Sequence, residues 1–160
     1  MRKYADLHVH TYFSDGTFSP EEVVDHASSK GLSCIAICDH DTIDGIDAAT
    51  RHASKAGLEI VPGVEVTVIK DGKEIHVLGY FVSWKEEWFG KVLRRVQGER
   101  DARMEKMLAK LKKFGIDLDK KSVTQLAGAR GSLGRLHLAR ALAMTGAVSS
   151  IQKAFQLYIG

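Results

Sequence analysis

Cysteine is scarce in this sequence: its two thiols are Cys34 and Cys38, four residues apart. On an extended strand that spacing puts both on one face but too far apart to bond each other, which excludes a disulfide framework. They read as core thiols of a reducing compartment, the cytoplasm by default, with a lesser claim for Cys38, next to Asp39, to touch a site. No apolar run is long enough to span a bilayer, and Met1-Arg2-Lys3-Tyr4 leads into a strand pattern without a signal-peptide core. The sequence has no Gly-x-Ser-x-Gly elbow, which argues against a Ser-His-Asp hydrolase, and no Gly-rich Walker loop, which argues against an NTPase.

What it does have is a concentration of imidazoles and carboxylates in two short segments, Asp6-Leu7-His8-Val9-His10-Thr11-Tyr12-Phe13-Ser14-Asp15-Gly16 and Cys38-Asp39-His40-Asp41. Residues 5–10 alternate as a strand does, so His8 and His10 point to one side and can hold a cation between them. The apolar run Ser33 to Cys38 reads as a buried strand with Asp39-His40-Asp41 at its carboxyl end, where parallel α/β sheets place their chemistry. Between the two strands Ser19 is a candidate N-cap, Pro20 the first helical residue and Glu22 the capping-box partner, with Gly31 as the stop. Strand, helix and strand form a βαβ unit feeding one site.

The pattern continues with a helix from Asp44 to Ala56 closed by Gly57, then a strand segment from Leu58 to Val66 that delivers Glu65. Val66 to Ile69 and Glu74 to Phe81 flank Asp71-Gly72, the signal of a hairpin that carries His76 back toward Glu65. Beyond residue 82 the pattern is helical: Glu87 to Phe114, with apolar Val92, Val96, Met104, Met107, Leu108 and Leu111, then Ser122 to Ala127, Ser132 to Met144 and Ser149 to Tyr158. Charge divides at the same place. Residues 1–82 carry 7 Lys and Arg against 13 Asp and Glu, net −6, whereas residues 83–160 carry 16 against 7, net +9. An acidic half that gathers cations is thus joined to a basic half suited to phosphate.

These residues resemble the PHP family (polymerase and histidinol phosphatase), and within it the small nucleotide phosphoesterases similar to nucleoside 3′,5′-bisphosphate phosphatase and the related 5′-to-3′ exonuclease. The matching blocks are DLHVHTYFSDG (6–16), ICDHDTIDG (37–45), PGVE (62–65), HVLGY (76–80) and, less specifically, GRLHLARAL (134–142). The resemblance implies the first part of a distorted (β/α)₇ barrel, residues 1–82, followed by an all-helical insertion over the active site, residues 83–160. It also implies up to three divalent metals, manganese, iron or zinc. His8 and His10 would bind the first, Glu65 would bridge it to a second that His76 joins, and Asp15 with His40 would bind the third. The family's later ligands, in Ala-His-Pro and Asp-x-His blocks, have no counterpart before Gly160, and the usual Gly-Arg-Pro-His is Gly134-Arg135-Leu136-His137 here. The chain is therefore expected to be the amino-terminal part of such a protein, poorly active and self-associating on its own.

In the basic half, Lys110, Lys112, Lys113, Lys120 and Lys121 read as a solvated helix face. Arg130 and Arg135 are the candidate phosphate contacts, since they flank a glycine-rich turn whose free N–H groups would open a helix. His137 reads equally as packing or site residue, and His26 and His52 lack ligand-type companions at suitable spacing. The expected chemistry is phosphate-ester hydrolysis of a small phosphorylated substrate, a nucleotide or short oligonucleotide, by metal-activated water, with no nucleophilic side chain required. The alternatives are a catalytically incomplete metal-binding or interaction module and a histidinol-phosphatase-like enzyme.

Overall fold

The computed structural model describes residues 3–127 and 132–160. Among them four strands, β1 (Ala5–Val9), β2 (Cys34–Ile37), β3 (Glu59–Lys70) and β4 (Lys73–Tyr80), form one sheet in that order. β1, β2 and β3 run parallel, and β3 pairs antiparallel with β4 from Gly63↔Tyr80 to Lys70↔Lys73. β3 is thus one continuous strand rather than two segments: its first residues extend the parallel sheet and its last form the hairpin. Asp71 and Gly72 make the turn with φ of 51° and 72°, the two positive values that a two-residue hairpin of this hand requires.

The parallel crossovers are α1 (Pro20–Ser29) and α2 (Ile46–Ala56). Ser19 caps α1 with the full reciprocal box: its hydroxyl accepts from the Glu22 N–H while the Glu22 carboxylate accepts from the Ser19 N–H. Val23, Val24 and Ala27 of α1, Ile35 and Ile37 of β2, and Ile46, Ala49 and Ala53 of α2 make one core on the outer face of the sheet. The inner face is sparsely filled, by Ala36, Cys38 and Val61 with Cys34 and Leu78 against them. Both thiols are free, and burial pushes Cys38 up to about 11, so it is an inert packing group at neutral pH. Gly63 is required here, because a Cβ on it would lie 2.7 Å from Cys38 Sγ and 2.9 Å from the Ile37 carbonyl oxygen. The sheet is a curled half-barrel wall, with its inner face turned toward the functional residues.

The later residues are helical: α3 (Glu87–Lys113), α4 (Lys120–Leu126), α5 (Arg135–Met144) and α6 (Ile151–Ala154), the last running into a π turn at Phe155–Ile159. Met104, Leu111, Val123, Leu138, Leu142 and Ala154 centre a second core. At 27 residues α3 is about 40 Å long and links both parts: its Gln97 and Arg100 reach Asp41, past the end of β2, and its Met104 and Leu111 enter the helical core. Leu93, not Val92, is the buried residue near its start; Val92 is half exposed. No helix among the described residues is long and apolar enough to cross a membrane.

Candidate metal centre

The carboxyl end of β1, the loops after β1 and β2, the middle of β3 and His76 of β4 bring the predicted ligands to one place. β1 and β2 fall out of simple register between Asp6 and Val9, and His8 and His10 still converge, with ring centroids 4.9 Å apart. Past the end of β2, His40 sits directly opposite Glu65 of β3: the Asp41 N–H donates to the Glu65 carbonyl, and the Glu65 N–H to that of Asp39.

Glu65 is the hub. Its Oε2 lies 2.9 Å from His8 Nε2, 3.1 Å from His10 Nε2 and 3.5 Å from His40 Nδ1, while Oε1 lies 2.9 Å from His76 Nδ1. Asp15 forms a second focus, with Oδ1 at 3.5 Å from His10 Nδ1 and Oδ2 at 3.6 Å from His40 Nε2. Burial would raise both carboxyls, but the imidazoles outweigh it and hold both below the usual carboxylate range. Burial lowers His10, leaving it a neutral imidazole at neutral pH, the protonation state a ligand needs.

The aspartates flanking His40 are committed elsewhere. Asp39, fully buried, accepts from the Thr11 N–H at 2.7 Å, the Thr11 hydroxyl at 2.7 Å and the Ser14 hydroxyl at 2.6 Å, which pins the loop after β1. Asp41 takes a positive φ of 53° and accepts from the N–H and hydroxyl of Thr67, each at 2.7 Å. Its Oδ2 also lies 2.8 Å from Nε of the buried Arg100, whose Nη1 donates to Ser132 Oγ and the Leu133 carbonyl, each at 3.2 Å. His40 is therefore held between two locked carboxylates. Gly16 closes the first loop so tightly that a Cβ there would lie 2.6 Å from the His10 carbonyl oxygen.

Three groups that could each hold a metal ion result: His8, His10 and Glu65; His10, Asp15 and His40; His40, Glu65 and His76. In each, the ligand atoms lie within 4.8 Å of one another. The donor set fits divalent metal by its own chemistry: nitrogen and carboxylate ligands in shared clusters suit zinc, iron or manganese. His40 Nδ1 is buried with no hydrogen-bond partner beside a carboxylate oxygen already crowded by two other imidazoles, an arrangement that a cation would complete.

Arg135 opens α5 and lines a cavity of about 110 Å³ together with Asp15, His40, Glu74 and His76, its Nη2 at 3.5 Å from Glu74 Oε1. Arg130 lies outside the described residues. Among the described residues of the turn ahead of Arg135, two N–H groups are taken within the fold: that of Ser132 donates to the Phe13 carbonyl and that of Gly134 to His137 Nδ1. His137 is a fully buried strut, neutral because burial lowers it to about 4. His52 pairs with Asp25 at the surface, and His26 stacks against Phe18.

Sequence reasoning missed Arg100, Arg103 and Glu74. Arg100 stands four residues from both Val96 and Met104, inside the apolar stripe of α3, and a charge in that position is the signal that was available. Glu74 stands two residues before His76 on one strand, hence on its face.

A PHP domain model matches residues 6–116, and the chain belongs to the PHP family. It is 37% identical over 160 residues to a 5′-3′ exoribonuclease of Haemophilus influenzae, covering 100% of this chain and 58% of that one. Over 154 residues it is 30% identical to a 3′,5′-nucleoside bisphosphate phosphatase of Chromobacterium violaceum, covering 96% and 54%. A solved structure from Bifidobacterium adolescentis, described as that of a metal-dependent phosphoesterase, superposes with a TM-score of 0.88 at 30% identity, over 99% of this chain and 56% of that one. The chain spans a little over half the length of these relatives.

Proposed function

We propose that this chain carries the metal-binding part of a metal-dependent phosphoesterase that hydrolyses phosphate esters of nucleotides or short oligonucleotides. The observation behind this reading is the convergence of His8, His10, Asp15, His40, Glu65 and His76 beside a cavity that Arg135 also lines. In this reading residues 1–82 hold the ions and residues 83–160 form a basic helical cap, with Arg135 and Arg130 as its substrate grip. His8, His10 and Glu65 would hold one ion, Glu65 and His76 a second and Asp15 with His40 a third. Divalent ions, when bound, supply Lewis acidity toward a phosphoryl group and lower the pKa of water.

The chain's own residues then do three things. His10 stays neutral and Asp15 and Glu65 stay ionised, so the ligand set is ready without a proton to lose. Asp39 and Asp41 fix the two loops, so His10 and His40 do not reorient as substrate arrives. Arg135 offers a guanidinium fork from the first turn of α5 to a phosphate that is not being cleaved. The names of the relatives, an exoribonuclease and a nucleoside bisphosphate phosphatase, favour a substrate with two neighbouring phosphates.

The test is a chimera that continues past Gly160 with the corresponding segment of the Haemophilus relative, assayed with manganese on a nucleoside 3′,5′-bisphosphate and on 4-nitrophenyl phosphate. Losing a guanidinium contact to the non-reacting phosphate costs about 1.5 to 3 kcal/mol, so Arg135→Ala should lower kcat/KM on the bisphosphate roughly tenfold to a hundredfold and leave the aryl phosphate nearly unchanged. His10→Ala should abolish both. Equal loss on both substrates in Arg135→Ala would overturn the nucleotide assignment.

A further inference from the structure

Glu74, which belongs to none of the ligand triads, meets three partners. Its Oε1 lies 2.6 Å from His76 Nε2 and 3.5 Å from Arg135 Nη2, and its Oε2 lies 2.5 Å from Arg103 Nη1 on α3. An ionised carboxylate between two guanidinium groups only accepts hydrogen bonds, so the proton in the short contact with His76 sits on Nε2. In the neutral imidazole that metal binding requires, the other ring nitrogen, Nδ1, then turns its lone pair toward Glu65 Oε1 at 2.9 Å. In that state the two facing acceptors are bridged by a cation. His76 thus stands between two carboxylates, one fixing its tautomer and the other sharing its free nitrogen with the hub of the centre.

We propose that Glu74 is a positioning residue for metal binding: by accepting a hydrogen bond from the Nε2–H of His76 it presents Nδ1 as the ligating nitrogen. A carboxylate behind a ligating imidazole orients the ring and raises its basicity, and loss of such a partner typically weakens metal binding ten- to a hundredfold. The competing view is that Glu74 merely ties β4 to the arginines of the helices. The inference rests on the metal-centre reading above, and the experiment separates the two.

The metal-free 160-residue chain is titrated with cobalt(II), following the visible absorption of the bound ion and the number of ions per chain, alongside the unfolding midpoint of the metal-free protein. Wild type should bind cobalt. Glu74→Ala should bind the ion that needs His76 roughly ten- to a hundredfold more weakly, with a metal-free midpoint close to wild type, because Arg103 and Arg135 are partly exposed and can turn to water. Glu74→Gln, which keeps an acceptor oxygen of the same reach, should recover part of the loss and carries the test should the alanine variant not fold. Arg103→Ala should stay within about threefold of wild type. Unchanged affinity in both Glu74 variants, or an equal loss in Arg103→Ala, would overturn the positioning role and leave the metal centre standing. Failure of wild type to bind cobalt would overturn both.

Discussion

Arg100→Met is the perturbation that most sharply probes how the helical half is fastened to the candidate site. Arg100 and Asp41 are 4% and 0% exposed, so neither can turn to water when its partner is lost. Methionine keeps much of the volume, which removes cavity formation as the cause of any change. The substitution deletes the 2.8 Å contact to Asp41 and the two donations to Ser132 and Leu133. It leaves a buried carboxylate with the two Thr67 donors as its remaining side-chain-mediated support. Breaking a buried pair from one side costs about 3 to 5 kcal/mol, and the surviving Thr67 bonds favour the lower end of that range. Against a total stability of about 5 to 15 kcal/mol the loss is a large fraction. Asparagine tolerates the positive φ of residue 41, so Arg100→Met with Asp41→Asn should be more stable than the sum of the single changes implies. The assay is urea unfolding of the four proteins at equilibrium. A cost under about 1 kcal/mol for Arg100→Met, or additivity within about 0.5 kcal/mol, would refute the reasoning.

Two further outcomes follow from particular groups. His137 is held at about 4 by burial, below its ordinary 6.5, so the unfolded chain binds more protons between those values. Its contribution is complete above about pH 6.5 and fades as the pH falls to about 4, worth up to about 3 kcal/mol, and His137→Gln should flatten that part of a stability-versus-pH curve measured in urea. A curve unchanged by the substitution would show that the strut carries no such linkage. The free edge of β1, with Tyr4 and Leu7 exposed, and the nearby Tyr80 and Phe81 offer a surface for another chain. Light scattering at tens of micromolar should show association, and a clean monomer would contradict it.

Local chemistry made much of this molecule legible from sequence. The capping box at Ser19 and the Asp71-Gly72 turn each act within a few residues, and each recurs in the structure where its local rule places it. The six ligand-type residues could be named because imidazoles and carboxylates at strand ends have few other uses in such density. What escaped depends on partners distant in the chain. Nothing local distinguishes Asp39 and Asp41, which lock loops, from His40 between them, which faces Glu65; only the approach of Thr11, Thr67 and Arg100 does so. Arg100 hid within an apolar stripe, and Glu74 acquired its part from arginines 29 and 61 residues later. The glycine-rich turn near residue 134 suggested free backbone donors, yet the Phe13 carbonyl and His137 take the N–H groups of Ser132 and Gly134, a competition that only the folded chain reveals.

The most direct test of the central claim is metal analysis of the 160-residue chain purified without chelator, joined to its unfolding free energy with and without added manganese or zinc. Three ligands from His8, His10 and Glu65 predict at least one bound divalent ion and a stabilisation of about 2.7 kcal/mol when free metal reaches a hundred times Kd, both lost in His10→Ala. No bound transition metal, together with a stability indifferent to either ion, would contradict the account.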